Sequence, residues 1–213
     1  MAIAFGGISG VGTTSTVTSV TVSGSNTIGI VHVAGDSSDN ITAVTWGGVS
    51  MTKIAAALVS GDRFISSWWV ANPSSGGSIV FTGGSFWRSY SSYYTGAKQT
   101  AQVDSSNTGT SSPTLSITIA STVVASNSWF VMLQKDNTGG RTYTASGVLA
   151  SMRLAVDDGG LAIADSNGAV GTGSQSGTLT TTGANNNHGG VAFSLAEAVS
   201  YNPSIARRAL LFR

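Results

Sequence analysis

Apolar and polar residues alternate along most of the chain. The alternation is strict from Thr16 to Val22, is interrupted at Gly24 to Asn26, and gives way to a more continuously apolar run from Thr27 to Val33. Successive side chains of a strand point to opposite faces, so alternation predicts a half-buried strand and a continuous apolar run predicts a central strand. The N-terminal third is therefore predicted to form a sheet.

A β-hairpin is the strongest local prediction. Ile41 to Trp46 and Val49 to Ile54 are two alternating runs, and only Gly47 and Gly48 separate them. A two-residue type I′ turn needs positive φ at both central positions, which glycine adopts without steric cost.

Turn residues separate about ten further apolar segments, and no amphipathic helix of ordinary length precedes residue 200. The segments are 63–71, 78–82, 86–95, 114–119, 127–134, 141–145, 151–156, 160–164, 178–182 and 188–196. Ser105 to Ser112 is expected to be a low-complexity loop, and no repeat of fixed period is visible. Short strands at such spacings predict an all-β fold, a jelly-roll-like β-sandwich over residues 13–200. Residues 1–12 and 201–213 are expected to be N- and C-terminal arms.

Charged residues make up only 9% of the 213 residues, with a formal net charge of +1 and no cysteine. An ordinary soluble domain has roughly 25% charged residues. The 41% apolar content argues against disorder, and the charge balance argues against nucleic acid as a partner. Polar residues interrupt every long uncharged stretch, so no membrane contact is expected. The N-terminus lacks the pattern of a secretory signal, and release by host lysis within a virus particle fits this combination.

The C-terminal segment differs from the rest of the chain. It combines four large apolar side chains with three of the ten basic residues. One interpretation is an arm packed on its own domain, and the other is an arm that docks on a neighbouring subunit. The candidate interface residues are Ile205, Arg207, Arg208, Leu210, Leu211, Phe212 and Arg213. Deleting Ala206 to Arg213 is expected to weaken attachment to a partner and leave the fold intact.

Signatures of catalysis are weak. His32 lies within a strand and His188 in an Asn- and Gly-rich segment expected to be an exposed loop or strand edge, and neither has zinc-ligand spacing. No Gly-x-Ser-x-Gly or phosphate-loop motif occurs. Asp36 with Asp39, and Asp157 with Asp158, are the only carboxylate pairs close in sequence that could serve glycoside hydrolysis. We therefore expect no enzyme and no cofactor.

Two oxygen-rich segments could hold calcium. Asp36 to Asn40 and Asp165 to Gly168 each place several oxygen-bearing side chains close together, but neither completes a calcium-binding loop. The alternative is an Asx turn, in which the side chain binds its own backbone.

Aromatic side chains offer a possible contact surface. Trp68 and Trp69 are adjacent and must face opposite sides of a strand, so at least one is expected to fill the core. The candidate surface residues are Trp69, Trp87, Tyr93 and Tyr94. Core packing, a subunit interface and stacking on a sugar ring remain open for them.

Three runs, in order, resemble a loosely defined group of β-sandwich proteins encoded in the structural gene clusters of tailed bacteriophages. They are Asp39 to Lys53 around Val44-Thr45-Trp46-Gly47-Gly48, Trp68 to Thr82 around Trp69-Val70-Ala71-Asn72-Pro73, and Ser92 to Asp104 around Tyr93-Tyr94-Thr95-Gly96-Ala97. The closing Tyr201 to Arg208 also resembles the end of that group, and the resemblance covers about residues 27–200.

The resemblance implies a virion structural protein without catalytic residues. We expect a capsid decoration (cement) protein that forms a homo-oligomer, a trimer, and binds the major capsid protein on the particle surface. The alternative is a carbohydrate- or receptor-binding module of a tail or head fibre, which needs exposed aromatic residues. A sandwich-fold glycoside hydrolase would need two carboxylates about 5 to 10 Å apart.

Overall fold

The computed structural model describes residues 1–9, 12, 16–35, 41–59, 63–84, 88–101, 103–136, 141–156, 160–183 and 186–199. These ranges contain strands and no helix, so none of them holds a helix that could span a membrane. The fold is an all-β sandwich, as the alternating pattern predicts.

Residues 4–95 form nine strands in two antiparallel sheets. The strands are β1 (Ala4–Ile8), β2 (Thr16–Thr18), β3 (Ile28–Gly35), β4 (Ala43–Trp46), β5 (Val49–Ser50), β6 (Thr52–Leu58), β7 (Phe64–Ala71), β8 (Ser78–Thr82) and β9 (Arg88–Thr95). One sheet has the order β1-β9-β3-β7-β6 and the other β2-β8-β4-β5. Gly47 and Gly48 have φ of 57° and 82°, which confirms the hairpin turn between β4 and β5.

Residues 103–195 form eight strands. These are β10 (Val103–Thr114), β11 (Ser116–Val123), β12 (Trp129–Asp136), β13 (Tyr143–Gly147), β14 (Ser151–Val156), β15 (Leu161–Asp165), β16 (Gly173–Thr181) and β17 (Asn186–Leu195). Their sheets have the orders β10-β17-β12-β15-β14 and β11-β16-β13. The loop predicted at Ser105 to Ser112 is wrong, because those residues lie in β10 and pair with β17.

The two halves repeat one topology. In the first half Ile28 pairs with Tyr94 and Gly29 with Tyr93, and in the second Trp129 pairs with Leu195 and Phe130 with Ser194. Both first strands also carry a register irregularity at the same place, before Gly7 in β1 and before Ser105 in β10. The two halves therefore share the same strand pairing and register, a repeat that the sequence pattern did not reveal.

Three apolar layers hold four stacked sheets together. The central layer lies between the two five-stranded sheets and joins Ile30 and Ile65 to Val131 and Phe193. The two outer layers lie between each five-stranded sheet and its smaller partner, around Trp46 and Val31 in the first half and around Phe130 and Leu179 in the second. Each five-stranded sheet is thus buried on both faces, which explains the continuous apolar run of β3.

The two five-stranded sheets pack face to face so that the edge strand at the end of one sheet lies on the strand that begins the other. β6 packs on β10 and β7 on β17, while Phe5 of β1 contacts Arg153 of β14 and Tyr94 of β9 contacts Asp165 of β15. Since β6 corresponds to β14 and β10 to β1, these contacts are equivalent pairs. The halves are therefore related by an approximate two-fold axis through the central layer.

The structure places the described residues of the predicted N-terminal arm in the first half of the fold. Ala4 to Ile8 pair with β9, Ile3 is buried in the central core, and Gly12 forms a bridge with Ser89. The described residues of 1–12 therefore belong to the first sheet rather than to a free arm. Residues 201–213, with every candidate arm residue from Ile205 to Arg213, lie outside the described residues.

Candidate functional site

The outward side of the β11-β16-β13 sheet carries hydroxyl groups and no charge. We call it the second outer face. It is composed of Ser116, Thr118, Ala120, Thr122, Thr142, Thr144, Ser146, Ser174, Ser176, Thr178, Thr180 and Thr182. Only one of these positions lacks a hydroxyl group. The opposite sides of the same strands carry the buried Ile117, Ile119 and Leu179, so strand alternation separates an apolar side from a hydroxyl side.

Hydroxyls on this face bond to one another across the strands. The Oγ1 atoms of Thr118 and Thr178 are 2.7 Å apart, and those of Thr142 and Thr182 are 3.1 Å apart. Neighbouring strands lie about 4.8 Å apart, so such pairs form rows across the sheet. The result is a surface that presents methyl and hydroxyl groups together.

The outward side of the β2-β8-β4-β5 sheet is its counterpart, the first outer face. It is composed of Thr16, Thr18, Ala43, Thr45, Ser50, Ser78, Val80 and Thr82. The registers match, because Thr16 pairs with Val80 as Ser116 pairs with Thr180, and Thr18 pairs with Ser78 as Thr118 pairs with Thr178. The approximate two-fold axis thus places two similar uncharged faces on opposite sides of the molecule.

Uncharged hydroxyl faces are suited to contact with another surface. Covering a charged side chain requires its desolvation, whereas a hydroxyl that already has a hydrogen-bond partner loses little when water leaves. The described charged side chains of Lys53, Arg88, Asp136, Arg153 and Asp165 belong to strands of the five-stranded sheets. Arg141 lies at the edge of the second outer face, where it donates to the Thr182 carbonyl oxygen over 3.1 Å.

The carboxylate of Asp165 is held by protein groups. Arg153 donates to both carboxylate oxygens over 2.7 and 2.9 Å. The Tyr94 hydroxyl donates over 3.2 Å, and the backbone N–H of Asn167 donates over 2.9 Å. The Asn167 contact is the Asx turn that the sequence offered as the alternative to calcium. The positive charge of Arg153 also disfavours a bound cation at the Asp165 carboxylate.

Within the described residues no group of three or more His, Asp or Glu side chains could hold a metal. Asp36 to Asn40, Asp157 and Asp158 lie outside them.

His32 lies fully buried on β3, against the central layer. Its Nδ1 is 3.1 Å from the Ser67 hydroxyl and its ring stacks on Phe193 at 6.5 Å. Its Nε2 has no hydrogen-bond partner among the described residues. Burial lowers the pKa of His32 from 6.5 to about 3, so the ring is neutral in the folded protein.

His188 is also buried, and its predicted exposed position is wrong. The Gln134 amide lies 2.9 Å from its Nδ1, and its Nε2 lies 2.9 Å from the Thr114 carbonyl oxygen. With a proton on Nε2, the ring donates to the Thr114 carbonyl oxygen, and Nδ1 accepts from the Gln134 amide. Both nitrogens therefore have partners within the sandwich, and the residue is structural.

The prediction that Tyr93 and Tyr94 belong to an aromatic surface is wrong, because these side chains are only 6% and 0% exposed. Trp69 is half-buried against the central core, and Trp87 lies outside the described residues. Trp68 lies in the first outer core, so the predicted opposite facing of Trp68 and Trp69 is confirmed. No described member of this set offers an open ring for stacking.

A polar groove opens between β10 and β11, and the sequence reasoning missed it. Its volume is about 380 Å³, and Ser105, Ser106, Asn107, Ser121, Thr122 and Ser174 line it. The signal in the sequence was the hydroxyl run that we assigned to a loop. Only the pairing of β10 with β17 shows that its alternate side chains share one face.

Comparisons with known proteins found no relative of this chain. Neither the protein-family models, the curated proteins nor the solved structures give a significant match to this chain.

Proposed function

We propose that this protein is a non-enzymatic structural subunit of a tailed-phage particle, a decoration protein that attaches to the capsid surface. The observation that carries the proposal is the pair of uncharged outer faces on opposite sides of the molecule. A subunit with two such faces can contact two neighbours at once. Contacts of about 1,000 Å² or more across lattice junctions would resist separation of the capsid proteins.

The strand orders support a virion role. In the first half, the first four strands of the five-stranded sheet, β1-β9-β3-β7, and the sheet β2-β8-β4-β5 follow an order compatible with a jelly roll. In the second half, β10-β17-β12-β15 and the three-stranded sheet β11-β16-β13 follow a similar order. Jelly rolls build viral capsid domains as well as lectins, so the assignment is compatible with the resemblance. Similar folds host many functions, and the faces rather than the fold carry the proposal.

The test is the occupancy of particles by the protein and by one face variant. We would replace Thr118 and Thr144, both exposed on the second outer face, by lysine and incubate the double variant with particles that lack the protein. Two charges buried at a contact cost several kcal/mol, so occupancy should fall at least tenfold. Cryo-EM reconstruction would show where the native protein sits, and we expect density on the head lattice at three-fold positions.

The matched control is Ser126→Lys, at an exposed turn between β11 and β12. It adds a positive charge away from the outer faces and should bind particles as the native protein does. Circular dichroism and sedimentation velocity would verify that each variant folds and whether the native protein is the expected trimer. Equal occupancy of all variants, or density confined to tail fibres, would overturn the proposal.

A further inference from the structure

The smaller sheet of the second half has one strand fewer than that of the first half. The strand orders are β2-β8-β4-β5 and β11-β16-β13. Thr45 of β4 pairs with Val80 as Thr144 of β13 pairs with Thr180, so β4 and β13 are equivalent strands. Within the described residues no strand corresponds to β5. One side of β13 is therefore without a neighbouring strand.

The backbone groups of Ala145 point to this open side of β13. The Thr182 N–H donates to the Thr142 carbonyl oxygen, and the Val148 N–H donates to the Ser176 carbonyl oxygen, both over 3.1 Å. In an antiparallel pair every second residue bonds to the same neighbour, so the even-numbered residues of β13 bond to β16. The N–H and C=O groups of Ala145 lie between these residues and point away from β16.

The first half covers the equivalent position with its own chain. Trp46 is the equivalent of Ala145, and its backbone pairs with Val49 of β5. In the second half the connection after β13 buries Leu149 in the outer core and forms no such hairpin. The first half thus closes a sheet edge that the second half leaves open.

The other edge strands that the structure describes are each protected against a further strand. β1, β6, β10 and β14 have register irregularities, and β2 and β5 have only three and two residues. On β11 the Ala120 carbonyl oxygen accepts from the Asn107 side-chain amide, and the Ser116 carbonyl oxygen accepts from the Thr114 hydroxyl. Bulges, short strands and covered edges are devices by which natural sheets prevent edge pairing.

β13 carries none of these devices. Its register with β16 is continuous from Tyr143 to Gly147, and the strand Tyr-Thr-Ala-Ser-Gly contains neither a charge nor a proline. Thr144 and Ser146 are exposed on its outward side. A regular, uncharged edge of this kind is a template for another strand.

We propose that β13 pairs with β13 of a second copy of this chain, antiparallel about a two-fold axis at Ala145. In this register the Ala145 N–H of each copy donates to the Ala145 carbonyl oxygen of the other. Thr144 then lies opposite Ser146 of the second copy, so the contact is self-complementary, as a two-fold interface must be. Arg141 precedes Ala145 by four residues and lies at opposite ends of the contact in the two copies, so like charges do not meet.

The outward hydroxyl groups favour a second copy over an unrelated strand. Within one copy, Thr118 and Thr178 form a cross-strand hydroxyl pair at 2.7 Å. Thr144 and Ser146 of the second copy would form a pair of the same kind. A charged strand would find no opposite charge on β13. The pairing joins the three-stranded sheets of two copies into one continuous sheet.

The pairing is a contact between free copies and does not depend on capsid attachment. It produces a dimer, whereas the trimer that the resemblance implies requires a different contact. A contact along one edge of five residues is smaller than the roughly 1,600 Å² of a stable complex. We therefore expect a weak dimer, with a dissociation constant on the order of 0.1 mM.

Sedimentation velocity of the full chain from about 0.01 to about 1 mM brackets this constant and should show a shift from monomer to dimer. Hydrogen exchange then locates the contact. The Ala145 amide should exchange about fivefold more slowly at the highest concentration, where about four fifths of the chains are paired. The Trp46 amide is the internal control, because β5 covers that edge, and its exchange should not depend on concentration.

Two charge variants test the register at the same pair of exposed positions. Thr144→Lys with Ser146→Lys sets each lysine against a lysine of the second copy and should weaken the dimer at least tenfold. Thr144→Glu with Ser146→Lys sets glutamate against lysine and should dimerise at least as tightly as the native chain. Circular dichroism would verify that both variants fold.

Ala145→Pro removes the N–H that points to the second copy and leaves the bonds between β13 and β16 in place. It should also weaken the dimer at least tenfold, and the charge variants decide the matter if it does not fold. A native chain that stays monomeric to about 1 mM would overturn the proposal. A trimer without a dimer, a dimer that Ala145→Pro leaves intact, or equal affinity of the two charge variants would overturn it as well.

Discussion

Tyr94 of the first half donates its hydroxyl to Asp165 of the second half over 3.2 Å, in the central core. Arg153 neutralises the same carboxylate and stacks over the ring of Phe5 at 4.4 Å. Burial, reinforced by the nearby Asp165 charge, raises the pKa of Tyr94 well above its ordinary value. A polar network thus ties the two halves together within the central core.

Tyr94→Phe should lower the free energy of unfolding by about 1 to 2 kcal/mol. The substitution removes one hydrogen bond to a buried carboxylate that Arg153 and Asn167 still hold. Urea denaturation at neutral pH would measure the change. Thr118→Val removes an exposed hydroxyl from the second outer face and should change stability by less than about 0.5 kcal/mol. Equal losses in the two variants would contradict a linking role for Tyr94.

His32 should make the protein sensitive to acid. The folded state keeps this ring neutral down to a pKa of about 3, whereas the unfolded chain protonates it at an ordinary pKa of 6.5. The stabilisation is complete above pH 6.5 and is lost as the pH falls toward 3, at up to about 1.4 kcal/mol per pH unit.

His32→Gln isolates this effect, because other titrating groups cancel when the two proteins are compared. The stability advantage of the native chain over the variant should shrink by about 2.5 kcal/mol between pH 7.5 and 4.5. Urea denaturation at both pH values would measure it. Ser67→Ala retains the buried imidazole and should keep the native pH dependence. A pH-independent difference between His32→Gln and the native chain would refute the assignment.

Gly6→Ala should destabilise the first half. A Cβ atom at Gly6 collides with the Tyr93 ring, which is only 6% exposed and has little room to move. Overpacking of this kind costs about 1 to 3 kcal/mol, which thermal denaturation would reveal. Gly171→Ala is the control, since its nearest neighbour is the Gln175 side chain at 3.6 Å. Equal melting temperatures of the two variants would show that the Tyr93 ring does not fill the space over Gly6.

The two halves should unfold together. Leu179 is fully buried in the outer core of the second half, and Leu179→Ala should cost about 2 to 5 kcal/mol. The central core is shared, so the loss should also shift the transition of the first half, which contains Trp46.

Near-ultraviolet circular dichroism and hydrogen exchange at β3 and β12 would follow the two halves separately. Coincident transitions are the expected result. A first half that keeps its native midpoint in Leu179→Ala would show that the sandwiches are independent.

The sequence by itself determined most of the strands and several of their turns. Alternation along β11 and β16 and the glycine pair after Trp46 are local features, because strand periodicity and turn conformation depend on neighbours in the chain. The all-β class follows from them. The same reasoning placed Ser105 to Ser112 in a loop, because polar residues with no apolar partners give no strand signal.

Only the tertiary structure decided which strands pair and what their side chains meet. The sequence suggested Tyr93 and Tyr94 as part of an aromatic surface. In the structure Tyr93 lies over Gly6, and Tyr94 reaches across the central core to Asp165. The correspondence of Tyr93 with Ser194 depends on pairs far apart in the chain. Long-range register leaves no periodic trace in a sequence whose two halves show no visible repeat. The sequence therefore predicted most of the strands, while the stacking of the sheets created the outer faces, the shared core and the groove between β10 and β11.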